Sequence, residues 1–89
     1  MLENQSSMAK VKKEKSAEVQ ALAARIKKLR IKKGYTSQET FAYDNEYTLS
    51  YYSRIERGED IRFTSLVRVA KALGVDLKTF FGSGFDKLM

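Results

Sequence analysis

Residues Ser37 to Gly58 read SQETFAYDNEYTLSYYSRIERG, and this stretch decides the fold. Thr36 or Ser37 can cap a helix that runs through Asp44, with Phe41 and Ala42 pointing inward. Thr48 can cap a second helix from Leu49 to Arg57, and Gly58 stops it. Tyr47, Tyr52 and Ile55 recur at spacings that fit one buried side. Leu49, Ser50, Ser53, Arg54 and Arg57 are then left on the outer side. The result is two short helices bent around a tight connection, the second with a polar face.

Outward from this centre, Ser16 to Lys33 carries Val19, Leu22, Ala23, Ile26 and Leu29 at helical spacing, and Gly34 supplies the stop. The opposite face holds Lys27, Lys28 and Lys32, a set equally suited to solvation and to contact with phosphates. Past Gly58, the loop EDIRF (59–63) leads to a fourth helix capped by Thr64 or Ser65, with Leu66, Ala70 and Leu73 on one side and Gly74 at its end. Asp76 can cap a fifth, short helix through Phe81, followed by Gly82 and Gly84.

Residues 1–15 contain few large apolar side chains and no period, so they are expected to form a mobile basic arm. Met8 offers a second start. The arm is expected to precede one folded domain over 16–89. In that domain Asn45, in the turn DNEY (44–47), is the residue best suited to a left-handed conformation.

A chain of 89 residues buries only about 60 to 65% of its unfolded surface, so a small helical bundle with a local core is expected. Without cysteine or histidine there is no disulfide framework and no thiolate or imidazole metal site, so neither metal nor cofactor is expected. No apolar run approaches the ~20 residues that span a bilayer, and the N-terminus has no signal-like segment. A cytoplasmic protein with no membrane partner and no small-molecule ligand follows.

The net charge of +6 is unevenly placed. Residues 1–33 hold ten Lys or Arg against three acids, whereas residues 34–89 hold seven against eight. An N-terminal basic field favours polyanions, although a Lys-rich tail also serves solubility alone.

The order and spacing of these features resemble the helix-turn-helix domains of the phage repressor and Cro type, the XRE type. The resemblance rests on Arg30 and Gly34 closing a first helix, Gln38-Glu39 opening a second, Phe41-Ala42 within it and Ile55-Glu56-Arg57-Gly58 closing the third. It continues through LVRVAKALGV (66–75) and covers residues 25 to about 81. It implies an all-α, five-helix lambda-repressor-like fold. In length and layout the chain is similar to stand-alone regulators such as restriction-modification controller proteins. Two departures stand out: Gly34 and Gln38 are separated by three residues where the family more often has two, and the turn DNEY (44–47) lacks the glycine common there.

What the resemblance implies is a regulator of transcription, a repressor or an activator, that binds double-stranded DNA at a partly palindromic operator. Leu49, Ser50 and Arg54 fall at its base-reading positions. Arg54 is suited to guanine O6 and N7, Ser50 to a base or phosphate, and Leu49 to a thymine methyl or partial burial. Gln38, Thr48, Tyr51, Ser53, Arg57 and Arg62 fall where the DNA backbone is expected, with Lys27 and Lys28 as added phosphate contacts. Glu59 and Asp60 offer Arg62 and Arg57 an alternative. The family signature also keeps opposite charges at Arg30 and Glu56, and Glu56 follows core Ile55, so a structural ion pair is expected.

Tyr35, Phe41, Tyr43, Tyr47, Tyr51, Tyr52 and Phe63 could stack on single-stranded bases, but their helical spacing favours the core; the resemblance puts Tyr43 and Tyr51 at outward-facing positions. No nucleophile, phosphate-loop or metal motif supports an enzyme. The alternative to a regulator is an antitoxin or another protein-interaction module. Val75, Leu77, Phe80, Phe81, Phe85 and Leu88 are more apolar surface than a short helix and tail can bury alone, which predicts a homodimer interface.

Overall fold

The computed structural model describes residues 16–88; the basic arm expected over 1–15 lies outside them. The described residues form five α-helices and no strand: α1 (Ala17–Lys33), α2 (Gln38–Asp44), α3 (Leu49–Glu56), α4 (Phe63–Ala72) and α5 (Leu77–Phe80), then a 3-10 turn over Asp86–Leu88. No described helix is long and apolar enough to cross a membrane.

Most helix starts follow local chemistry. The oxygens of Ser16, Ser37, Thr48 and Asp76 accept the backbone N–H of Val19, Thr40, Tyr51 and Thr79 at 3.1, 3.1, 3.1 and 2.8 Å, which satisfies donors that a helix leaves open at its first turn. Ser37, not Thr36, therefore caps α2. The start of α4 corrects the sequence reading. It begins at Phe63, with Arg62 at the cap position and no side-chain cap. The Leu66 N–H already reaches the Arg62 carbonyl at 2.9 Å, so Thr64 and Ser65 lie inside the first turn.

Helices α1 to α4 all end in one backbone motif. A residue with positive φ donates its N–H three residues back, and the next residue donates five back, which is the Schellman arrangement. Gly34, Gly58 and Gly74 take the positive-φ place in α1, α3 and α4, and Glu46, at φ 63°, takes it in α2. Asn45 was the expected left-handed residue, but its φ is −109°. Its side-chain nitrogen donates to the Phe41 carbonyl at 2.9 Å and keeps it on the helix end, so the reversal moves one residue on.

The core takes Ile26 and Leu29 from α1, Phe41 and Ala42 from α2, Tyr52 and Ile55 from α3, Leu66, Val69, Ala70 and Leu73 from α4, and Phe80 from α5. Phe41 is central, with its ring centroid 5.2 Å from that of Tyr35 and 5.0 Å from that of Tyr52. Two aromatic assignments change: Phe63 is 63% exposed at the first position of α4, and Tyr51 is half-buried. Phe63 stands one turn before Leu66, where the buried stripe of α4 begins. Tyr43, 83% exposed, faces outward.

A tie with no signal in the sequence joins the two ends of the domain. Arg25 on α1 donates from Nε to the Phe80 carbonyl at 2.7 Å and from Nη2 to the Thr79 carbonyl at 2.8 Å. A cation thus meets the last carbonyls of α5.

Candidate nucleic-acid interface

Successive residues of an α-helix are turned by about 100°, so the eight residues of α3 divide into two arcs. Tyr51, Tyr52, Ile55 and Glu56 share one arc. Tyr52 and Ile55 are buried, and the Glu56 side chain is 2% exposed. Leu49, Ser50, Ser53 and Arg54 share the other, continued by Arg57 just past the helix. Leu49 is 45% exposed, and Ser50, Arg54 and Arg57 are exposed with it.

The inner arc is fixed by a saturated carboxylate. Arg30 grips Glu56 as a fork, Nε to Oε2 at 2.7 Å and Nη2 to Oε1 at 3.2 Å, while its Nη1 donates to the Tyr35 carbonyl at 2.8 Å. Tyr52 donates its phenol to Oε2, and the Gln38 amide nitrogen donates to Oε1 at 2.9 Å. Carboxylate and guanidinium are both withdrawn from water, at 2% and 4% side-chain exposure. This one group links α1, α2 and α3, and among the described residues no buried side-chain polar atom lacks a partner.

The charges respond accordingly. Burial pushes the Glu56 carboxyl up, but the hydrogen bonds from Arg30, Tyr52 and Gln38 together outweigh it and hold the group below its usual range. The same pairing raises Arg30. Burial first, then the bond to Glu56, pushes the Tyr52 phenol well above the ordinary tyrosine range.

The residues expected to face the DNA backbone are not equally free. The Thr48 hydroxyl oxygen caps α3 but keeps its own O–H to donate. Ser53 spends its hydroxyl on the Ser50 carbonyl at 3.2 Å. Gln38 has one amide N–H on Glu56, which leaves a second on the same nitrogen. Lys27, Lys28 and Arg62 are exposed. Arg62 pairs with neither Glu59 nor Asp60; instead Glu59 lies between Arg54 and Arg57, its carboxylate oxygens 3.8 and 3.7 Å from them. The Arg54 guanidinium also stands 6.0 Å from the centre of the Tyr51 ring.

Three relationships escaped sequence reading: Tyr52 and Gln38 as partners of Glu56, and Glu59 as partner of Arg54, whereas the pairing of Glu59 with Arg57 is one that the sequence offers. Tyr52 and Glu56 stand four residues apart in one helix, a spacing that already puts them in contact.

Of the apolar C-terminal residues, Phe80 is fully buried in its own chain. It offers no surface to a second copy, because α5 turns it into the core beside Arg25. Phe81 is 44% exposed, and Val75, Leu77, Phe85 and Leu88 are half-buried. Phe81, Phe85 and Leu88 line an open groove of about 470 Å³ with Val19, Leu22 and Leu66.

The family model described as helix-turn-helix matches residues 26–80, a span that includes Arg30, Glu56 and all of α2 to α5. The chain is also similar to "Control protein C.MunI" from a Mycoplasma species, at 36% identity over 58 residues, which cover 64% of this chain and 78% of the relative. No solved structure matches the chain significantly.

Proposed function

We infer that this chain, which belongs to the XRE-type helix-turn-helix family of DNA-binding transcriptional regulators, recognises a specific double-stranded sequence by laying α3 in the major groove. The observation that carries this reading is the division of α3. One arc is locked to α1 and α2 through Glu56, and the other presents Leu49, Ser50 and Arg54 unburied. A braced helix with unburied side chains along its outer arc is what groove reading needs, because base edges there carry distinct donor and acceptor patterns.

Arg54 pairs with guanine O6 and N7, Ser50 bonds a base edge or phosphate, and Leu49 packs on a thymine methyl. Thr48, Arg57, Arg62, Lys27 and Lys28 set the register by contacting phosphates, with Gln38, Tyr51 and Ser53 in supporting positions. Residues 1–15 add basic charge as an arm to the domain over 16–89, and the protein acts in the cytoplasm. A relative named as a control protein supports a regulatory role.

Two copies pair through Val75, Leu77, Phe81, Phe85 and Leu88, which sets two reading helices ~34 Å apart on a partly palindromic operator. Selection of bound duplexes from a random pool, with sedimentation of the complex, tests both parts. The expected result is a two-fold symmetric site bound by two chains. Recovery of no preferred sequence would sink the reading and favour a protein-interaction module, such as an antitoxin, in its place.

A further inference from the structure

We propose that Glu59 is an electrostatic filter on the DNA-facing surface: its carboxylate restrains Arg54 and Arg57 and suppresses binding to duplexes of the wrong sequence. The proposal rests on the reading of α3 given above and names a residue that this reading leaves unused.

Glu59 is held where it is by the backbone. Gly58 reverses the chain at φ 91°, and the Glu59 N–H then donates to the Arg54 carbonyl at 3.2 Å. The carboxylate is thereby returned over the end of α3, with Oε1 3.8 Å from Arg54 Nε and Oε2 3.7 Å from Arg57 Nη2. Each oxygen faces a different arginine. Both separations are too long for hydrogen bonds, so the attraction is Coulombic and either guanidinium can leave. Asp60, the neighbouring acid, instead accepts the Ile61 N–H at 2.9 Å and is occupied by its own loop.

Stability gives no reason for this carboxylate. The side chains of Arg54, Arg57 and Glu59 are 48, 59 and 49% exposed, and ion pairs that open to water contribute little. An anion just past the C-terminus of a helix also meets the negative end of its dipole. Towards DNA the charge has a definite effect. Two arginines partly neutralised by a carboxylate attract polyanions less. On a correct site Arg54 leaves Glu59 for two hydrogen bonds to one guanine, which offsets the loss. On a wrong site Arg54 finds no such acceptor, stays beside Glu59, and the weakened attraction stands. The difference between the two outcomes is selectivity.

Glu59→Gln keeps the shape and removes the charge, and competition between the selected duplex and a scrambled one across a salt series reads the effect. Affinity for the scrambled duplex is expected to rise about tenfold and its salt slope to steepen by roughly one unit per subunit, while affinity for the selected duplex rises less than about threefold. Asp86→Asn makes the same charge change at an exposed site far along the chain and is expected to move both duplexes by one equal, small factor. In an Arg54→Ala, Arg57→Ala background the gain from Glu59→Gln is expected to vanish. An equal gain on both duplexes, a gain that survives loss of both arginines, or a lowered thermal midpoint with unchanged selectivity would each overturn the proposal. If the wild type itself makes no distinction between the duplexes, it is the reading of α3 that falls. The dependence of the scrambled-duplex gain on the two arginines then still reports on Glu59.

Discussion

Tyr52 and Glu56 stand one turn apart on α3, and the phenol donates to the same carboxylate oxygen that Arg30 Nε reaches at 2.7 Å. The tyrosine therefore acts as a third donor to a buried charge as well as a core aromatic. Removing the hydroxyl alone, by Tyr52→Phe, should cost ~1.5 to 3 kcal/mol, the range for a hydrogen bond to a charged group. Glu56→Ala should cost more, ~3 to 5 kcal/mol, because the Arg30 guanidinium then stays buried without its counter-charge. Urea unfolding of both variants checks the order. A Tyr52→Phe protein as stable as the wild type would mean that the hydroxyl contributes nothing beyond the ring.

The same cluster sets opposite limits in pH. The folded Glu56 carboxyl lies below its unfolded value of about 4.3, so its contribution is complete above that pH and is lost as pH falls through the folded pKa. The folded Tyr52 phenol lies above its unfolded value of about 10, so its contribution is complete below pH ~10 and declines as the unfolded chain ionises. Stability should thus be flat between about pH 5 and 10 as far as these two groups decide it. Glu56→Gln should shallow the acid limb without abolishing it, since Asp76 is also lowered, chiefly by the Thr79 N–H. Tyr52→Phe should remove up to ~1.4 kcal/mol per pH unit from the alkaline limb. Identical acid limbs in wild type and Glu56→Gln would exclude Glu56 as a source of the acid sensitivity.

Glu46 holds a φ of 63° at a place where α1, α3 and α4 use glycine. A left-handed backbone costs a residue with a Cβ ~1 to 2 kcal/mol, against ~0.5 to 1 for the greater freedom glycine loses on folding. Glu46→Gly should therefore raise stability by up to about 1 kcal/mol. Asn45→Gly should lower it, because the bond from its side chain to the Phe41 carbonyl disappears. Thermal melts of the two variants should move in opposite directions, and a lower midpoint for Glu46→Gly would show that the glutamate is held there by something other than the turn.

What the sequence made legible was mainly what is local. Caps at Thr48 and Asp76 and stops at Gly34, Gly58 and Gly74 lie within a turn of the groups they satisfy, and the outer arc of α3 follows from periodicity alone. Where a side chain had two local options, as Asn45 did, propensity named a suitable residue but the competing hydrogen bond moved the reversal to Glu46. The start of α4 was hidden because no side chain marks it. Arg25 was hidden because its acceptors, Thr79 and Phe80, lie 54 and 55 residues away. Glu59 is legible as a partner for Arg57 or Arg62; that it meets Arg54 with Arg57, and not Arg62, depends on the backbone reversal at Gly58, a three-dimensional fact.

Phe80 and Phe81 are adjacent, with ring centroids 5.0 Å apart, yet they should fail in different ways. Phe80 is wholly inside, so Phe80→Ala should lose ~3 to 5 kcal/mol of stability. Phe81 is 44% exposed beside Phe85, so Phe81→Ser should leave the fold intact and weaken self-association by tenfold or more, about 1.4 kcal/mol. Analytical ultracentrifugation together with circular dichroism separates the two. Should Phe81→Ser associate as the wild type does, the C-terminal groove is not where copies meet.

The basic residues should also do separable work on DNA. Arg54 stands on the outer arc of α3, where its fork can read guanine, so Arg54→Ala should lower affinity for the selected duplex by ~1 to 3 kcal/mol and relax preference at one position of each half-site. Lys27 and Lys28 are exposed on α1 and carry charge without a fork. Lys27→Ala or Lys28→Ala should weaken all sequences alike and reduce the salt slope by about one unit per lost contact in each subunit. Gln38→Ala should differ from both. It leaves the salt slope alone, because an amide has no charge, but it withdraws a donor from Glu56 and should lower stability by ~1.5 to 3 kcal/mol. Affinity for selected and scrambled duplexes, measured across salt and compared with unfolding midpoints, assigns each residue its share. A selected-to-scrambled ratio that Arg54→Ala leaves untouched would mean that α3 does not read sequence through Arg54.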